Sequence, residues 1–161
     1  MVSYSGPMIK GALNAGAAPA SVAFLRMLAA ALLLSPIEIA QMRKKRIPLR
    51  VTRREGVLAV VSALFLAGHY LTWITSLTGT STFASVALVC TQPLFVALFS
   101  WLLFREATPR RALPGAGLAL VGAVTIAVAG MAGTQTQAAA DEALKSNLLA
   151  LVGAVLMAAH W

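Results

Sequence analysis

The chain has 161 residues, of which 59% are hydrophobic and 11% are charged, whereas a soluble domain normally carries about a quarter charged residues. Its net charge of +8 would ordinarily suggest a nucleic-acid partner, but ten of the thirteen basic residues lie in two clusters between apolar runs. Composition therefore indicates a membrane protein and argues against a nucleic-acid partner.

Six apolar segments follow one another and predict an all-α membrane protein, a multi-helix transmembrane bundle. A helix needs about 20 residues to cross the hydrocarbon. Four segments are long enough for this, at about 20–41, 57–77, 83–104 and 113–132. The end segments, about 3–14 and 147–161, have room for only ~15 residues, or about 22 Å against a core of about 30 Å. We therefore expect partial helices there, in a sequence truncated at both ends.

The placement of Lys and Arg predicts how the segments thread through the membrane. Apart from Lys10 and Arg26, which lie inside apolar segments, eleven basic residues lie in loops, ten of them in 43–54 and 105–111. Cytoplasmic loops carry such an excess. The bias predicts a multi-pass protein of the plasma or inner cell membrane with a cytoplasmic N-terminus. It also makes 133–146, which is small and polar, an external linker.

Several stretches resemble the EamA-like domain of the drug/metabolite transporter superfamily. The stretch from Ile9-Lys10 through Phe24-Leu25-Arg26 is similar to the first two helices of that domain. The fourth helix and its exit are matched by Gln92-Pro93-Leu94-Phe95 through Phe104-Arg105-Glu106 and by Thr108-Pro109. Residues 115–130 are similar to the fifth helix, and 147–159 to the opening of a second copy. The resemblance implies two inverted five-helix repeats, between which a substrate moves by alternating access.

The same resemblance implies a domain organisation and a set of partners. Residues 1–132 would form the first repeat, 133–146 the linker, and 147–161 the start of a truncated second repeat. The implied partners are a small-molecule metabolite, the lipid bilayer, and either the missing second repeat or a second copy of the chain.

Five residues near the middle of the predicted spans are candidates for a substrate pathway: His69, Trp73, Thr91, Gln92 and Pro93. An intramembrane histidine is a functional candidate by default, although a neutral histidine bonded to a serine or a backbone carbonyl would explain it equally. Pro93 is expected to kink a continuous helix by depriving a backbone carbonyl of its partner. Gln92 is expected to face the bundle interior, as a substrate contact or as a hydrogen bond between helices.

Two cations, Lys10 and Arg26, flank the predicted outer hairpin at similar depth. They would repel each other unless an anion lies between them, which makes both candidates for the substrate pathway. Alternatively, both side chains are long enough to extend to the outer interface. Glu106 is expected to form a cytoplasmic ion-pair anchor with nearby arginines.

Small residues recur every four positions along the fifth predicted span, at Gly115, Ala119, Ala123 and Ala127. Such stripes let helix backbones approach closely, so the stripe predicts structural packing.

The sequence predicts a transporter and offers no catalytic residues. One cysteine and two distant histidines, His69 and His160, predict neither a metal site nor a cofactor. Two alternatives to a full permease remain open: a half-size exporter that dimerises, and an inactive remnant or membrane assembly partner that transports nothing. The first normally needs an acidic residue in its first helix, and this chain shows none there.

Overall fold

The computed structural model of the protein describes residues 4–45, 51–105, 113–132 and 136–160. The helices are α1 (Ser5–Asn14), α2 (Pro19–Lys44), α3 (Arg53–Gly79), α4 (Thr82–Val89), α5 (Gln92–Phe99) with a π-helical continuation (Ser100–Phe104), α6 (Leu113–Ala132) and α7 (Gln137–His160). These ranges contain helices and turns and no strand, so the predicted all-α class is confirmed.

Four helical spans in the described ranges are long and apolar enough to cross a membrane: Pro19–Lys44, Arg53–Gly79, Thr82–Leu103 and Gln137–His160. The first three correspond to predicted spans, with ends that differ by a few residues. The fourth predicted span, 113–132, has the bounds of α6. Large apolar side chains of α2 such as Leu32 and Leu33 are about two-thirds exposed, as expected of a helix face in contact with lipid.

Local sequence signals fix where several helices begin. Thr52 and Glu55 form a capping box at the start of α3: the Glu55 N–H donates to Thr52 Oγ1 at 3.3 Å, and the Thr52 N–H donates to the Glu55 carboxylate at 2.8 Å. The Ser81 hydroxyl accepts from the Ala84 N–H at 3.1 Å and caps α4. Pro19 stands in the first turn of α2, where its missing N–H costs no helical hydrogen bond.

The span that contains Pro93 remains helical from Thr82 to Leu103 but is distorted just before the proline, where a proline kink is expected. The regular helix α4 ends at Val89 and α5 begins at Gln92, and the two residues between them keep right-handed helical dihedrals. In this turn the N–H and the hydroxyl of Thr91 both donate to the Leu88 carbonyl, at 3.1 Å and 2.6 Å. The distorted turn therefore lies at Cys90 and Thr91.

The last helix differs from its predicted form. Helix α7 begins at Gln137, inside the segment expected to be a linker, and its 24 residues extend about 36 Å. It is therefore long enough to cross the hydrocarbon, contrary to the partial helix expected over 147–161. Alanine, glutamate, leucine and lysine, all strong helix formers, make up most of residues 138–145, which explains the extension.

Helix α7 is also the most deeply packed span. Inside its most apolar stretch 39% of residues are buried, against 6–17% in the other three spans. It lies antiparallel to α3, and its buried face consists mostly of small residues: Ala143, Ser146, Asn147, Ala150, Gly153, Ala154 and Ala158. These small side chains let the two backbones approach closely.

The small-residue stripe predicted on α6 packs over only part of its length. Ala123 and Ala127 are buried in a cluster with Leu88 and Ala150, whereas Gly115 and Ala119 are exposed. Close packing is thus confined to the half of α6 that meets α4 and α7.

Candidate substrate site

A cavity of about 820 Å³ lies between five helices, α1, α2, α3, α4 and α6. Its wall is mostly apolar and includes a few polar side chains, a composition typical of small-molecule sites. Its lining includes Arg26 from α2, His69, Tyr70 and Trp73 from α3, and Cys90 after α4. Three residues predicted separately from the sequence, Arg26, His69 and Trp73, thus line one site.

Arg26 lies against aromatic rings. Its guanidinium carbon is 5.3 Å from the centroid of the Tyr70 ring and 5.6 Å from that of Trp73. Cation–π contacts of this kind contribute about 0.5–2 kcal/mol and offset part of the cost of a charge at membrane depth. The half-buried side chain therefore extends to the cavity, and the alternative in which it reaches the outer interface stays a prediction.

His69 is held by the backbone of α7. It is buried, and its Nδ1 is 2.8 Å from the Gly153 carbonyl oxygen. Because a carbonyl only accepts, Nδ1 carries the hydrogen, and the other ring nitrogen of a neutral His69 is an acceptor. The ring stacks on Trp73 with 6.1 Å between centroids and 11° between planes. The backbone-bonded histidine considered from the sequence is thus observed, and the same residue also lines the cavity.

Trp73 carries an unused hydrogen-bond donor. The side chain is 7% exposed, and its indole Nε1 is buried with no hydrogen-bond partner among the described residues. A buried donor without an acceptor costs about 1–3 kcal/mol.

Polar contacts fix the α3 wall of the cavity to its neighbours. The hydroxyls of Ser76 and Ser85 are 2.6 Å apart and connect α3 to α4. At the other end of α3, the Ser62 hydroxyl is 2.6 Å from His160 Nδ1 on α7. Together with the bond between His69 and Gly153, these contacts orient the face of α3 that presents Tyr70 and Trp73.

Lys10 occupies a different site from Arg26. Its ammonium group donates to the Thr80 carbonyl, and the Thr80 hydroxyl donates to Asn147 Oδ1 at 2.9 Å. Lys10 and Glu142 line a second, smaller cavity of about 340 Å³ near these groups. The two cations therefore do not face each other across one anion, and this corrects the pairing suggested by their similar depth.

The other predicted pathway residues lie away from the larger cavity. Thr91 is buried with its hydroxyl bonded to Leu88, Gln92 is half-buried and Pro93 is exposed, and none of the three lines the cavity. Their role in a pathway stays a prediction. Glu106 lies outside the described residues.

Tyr70 and Cys90 also line the cavity, although neither was predicted from the sequence as a site residue. A signal for Tyr70 was present, since it lies three residues before Trp73 and such pairs share a helix face. Cys90 follows the last residue of α4 and shares a helix face with Phe83 and Val86, which also line the cavity. Over the described ranges, no group of three or more His, Cys, Asp or Glu side chains could hold a metal ion.

A helical membrane bundle around a largely apolar cavity with a half-buried arginine in its wall is compatible with a membrane transport protein. The sequence model of the EamA-like transporter family matches residues 1–128, and the chain belongs to this family. Searches of curated proteins and of solved structures give no match.

Proposed function

We propose that the protein exports small amphipathic metabolites by alternating access, with the cavity beside Arg26, His69 and Trp73 as the substrate site. One observation carries the proposal: five helices converge on a mostly apolar cavity whose volume suits a small metabolite and whose wall includes a few polar groups. Membership of a transporter family supports the general function.

The distorted turn in the span Thr82–Leu103 suggests how the cavity opens. Kinked and discontinuous helices near the middle of the membrane are common elements of transporter sites. Here the distorted turn comprises Cys90 and Thr91, and Cys90 lines the cavity. We propose that α4 and α5 tilt relative to each other at this point and expose the cavity to each side of the membrane in turn.

Cys90 provides a direct test because it is the only cysteine in the chain, is exposed and lines the cavity. The 161-residue protein is reconstituted in vesicles loaded with three non-permeant probes that share a phenyl group. The probes are 3-phenylpropanesulfonate, 3-phenylpropyltrimethylammonium and phenyl glucoside. At least one probe should leave faster than from protein-free vesicles, and N-ethylmaleimide should block its exit.

Two matched variants control for labelling. Cys90→Ala should transport normally and resist the reagent. Adding Ala119→Cys to that variant moves the thiol to an exposed position of α6, where labelling should leave transport unchanged. Release of all three probes at the rate of protein-free vesicles would overturn the proposal and favour an assembly partner without transport. A functional unit of two chains, detected by cross-linking during flux, would favour the half-size dimeric exporter.

The proposed membrane orientation places the N-terminus in the cytoplasm, on the basis of the Lys and Arg distribution. Reporter fusions at position 46 and at position 136 test it, because these two positions should report opposite sides of the cell membrane. A periplasmic or extracellular report from position 46 would contradict the orientation.

A further inference from the structure

We infer that the cavity recognises an organic anion with an apolar body, whose anionic oxygens are bound by the Arg26 guanidinium and the Trp73 indole N–H. The inference rests on the proposed function, since it names the substrate class of the same site.

The charge balance of the cavity gives the first argument. None of the described residues that line the cavity is acidic, and Arg26 is the one among them with a formal charge. In the described part of the chain, the guanidinium contacts two aromatic rings, and no carboxylate forms an ion pair with it. Rings reduce the cost of the buried charge but do not neutralise it. An anion in the cavity would neutralise it, in a medium where charge interactions are strong.

The unsatisfied indole gives a second, independent argument. Trp73 is more than nine-tenths buried, and its Nε1 has no acceptor among the described residues, so a ligand oxygen that a small movement of the ring brings within reach would satisfy this donor. The N–H of Trp73 can only donate. A sulfonate, carboxylate or phosphate group offers several acceptor oxygens, and one group of this kind can serve both donors.

The remaining wall defines the rest of the ligand. Phe83, Val86, Val89 and Ile126 line the cavity beside the aromatic rings. Burying an apolar body against such a wall is favourable by about 25 cal/mol per Å². A small inorganic anion would leave this wall without a partner, which is why we assign the site to an amphipathic anion.

Equilibrium binding of the three phenyl probes to the full chain in phosphatidylcholine nanodiscs tests the inference. The sulfonate should bind at least about tenfold more tightly than the trimethylammonium probe or the glucoside, as one charge-assisted contact predicts. Arg26→Gln should remove this preference. Arg43→Gln, the same change at the exposed inner end of α2, should keep it.

Trp73→Phe separates the hydrogen bond from the packing. It keeps an aromatic ring and removes the N–H, so sulfonate affinity should fall about tenfold while glucoside affinity changes less than about threefold. Equal losses for both probes would show a packing role and overturn the hydrogen-bond assignment. Circular dichroism and gel filtration confirm that each variant is folded.

The outcomes distinguish the inference from the proposed function. If the cation or the glucoside binds as tightly as the sulfonate while vesicle flux persists, the inference fails and the transport proposal stands. If the sulfonate binds selectively but no probe crosses, transport fails and the binding site stands. Absence of sulfonate binding overturns the inference. Phosphatidylglycerol that displaces the sulfonate would show that the site binds an anionic lipid, and it would overturn the assignment to a small organic anion of the metabolite class.

Discussion

Lys10 and Arg26 show how two cations of similar predicted depth come to lie in different surroundings. Lys10 lies in a polar region, where its ammonium group donates to the Thr80 carbonyl and Glu142 lines the same small cavity. Arg26 lies in an aromatic region with no acidic neighbour among the described cavity residues. We propose that Lys10 is a structural contact and that Arg26, whose guanidinium stacks on rings, offers its donors to a ligand.

Reversing the charge at Arg26 should have the largest effect. In Arg26→Glu, the sulfonate probe should lose at least about 100-fold in affinity and the trimethylammonium probe should gain, because the sign of the interaction reverses in a medium of low dielectric constant. Equilibrium binding in nanodiscs measures both. Arg43→Glu is the control, and a variant that still prefers the sulfonate would contradict the role assigned to Arg26.

A larger side chain at Gly153, where α7 packs against α3, should disturb the Arg26 region, because His69 bonds to Gly153 and stacks on Trp73. A Cβ on Gly153 would lie 3.1 Å from Thr72 Oγ1 and 3.5 Å from the His69 carbonyl oxygen. The larger side chain of Gly153→Ile should therefore destabilise the fold by about 1–3 kcal/mol. It should also weaken sulfonate binding, since His69 would move. Gly122→Ile on α6 is the matched control because a Cβ there has nothing within 4 Å. Equal thermal midpoints for both variants would contradict this account.

Removing the charge at Lys10 should affect stability more than binding. Lys10→Met leaves the Thr80 carbonyl without its donor, which should cost about 1–3 kcal/mol in a thermal unfolding measurement. Sulfonate affinity should change less than about threefold. If affinity falls as far as in Arg26→Gln, both cations serve one anion, as their similar depth suggested, and the distinction between the two regions fails.

Gln92→Leu should have the smallest effect and shows whether the pathway extends past the cavity. Gln92 is half-buried, follows the distorted turn at Cys90 and Thr91, and does not line the cavity. We expect sulfonate flux to fall about threefold, a change of under 1 kcal/mol in the barrier, with affinity and membrane insertion intact. Unchanged flux would remove Gln92 from the pathway.

Two stripes of small residues, on α6 and on α7, show that residue spacing alone does not predict which helix face is buried. The four-residue spacing on α6 was evident, yet Gly115 and Ala119 are exposed. The stripe on α7, from Ala143 to Ala158, was overlooked, yet it forms the buried centre of the bundle. Spacing shows that a helix face is smooth. It does not show whether another helix covers that face.

The candidate site was predictable residue by residue but not as an assembly. Arg26, His69 and Trp73 stood out because polar and aromatic groups in apolar spans are costly or conspicuous. Their grouping depends on α2 and α3 packing side by side, and no sequence distance encodes this. Thr91, Gln92 and Pro93 were grouped with them because Pro93 was expected at the centre of one helix. The cavity instead lies against the face of that span which carries Phe83, Val86 and Cys90.

The sequence by itself determined that the chain is helical, that it belongs in a membrane, and where most of its spans lie. These properties follow from the length of the apolar segments, because every backbone N–H and C=O group of a single span in hydrocarbon must form its hydrogen bond within its own helix. Only the tertiary structure decided that α7 lies at the centre, that Arg26 stacks on Tyr70 and Trp73, and that Lys10 bonds to Thr80. Those choices depend on which helix faces meet, and lipid is as apolar as leucine, so hydropathy alone does not select among faces.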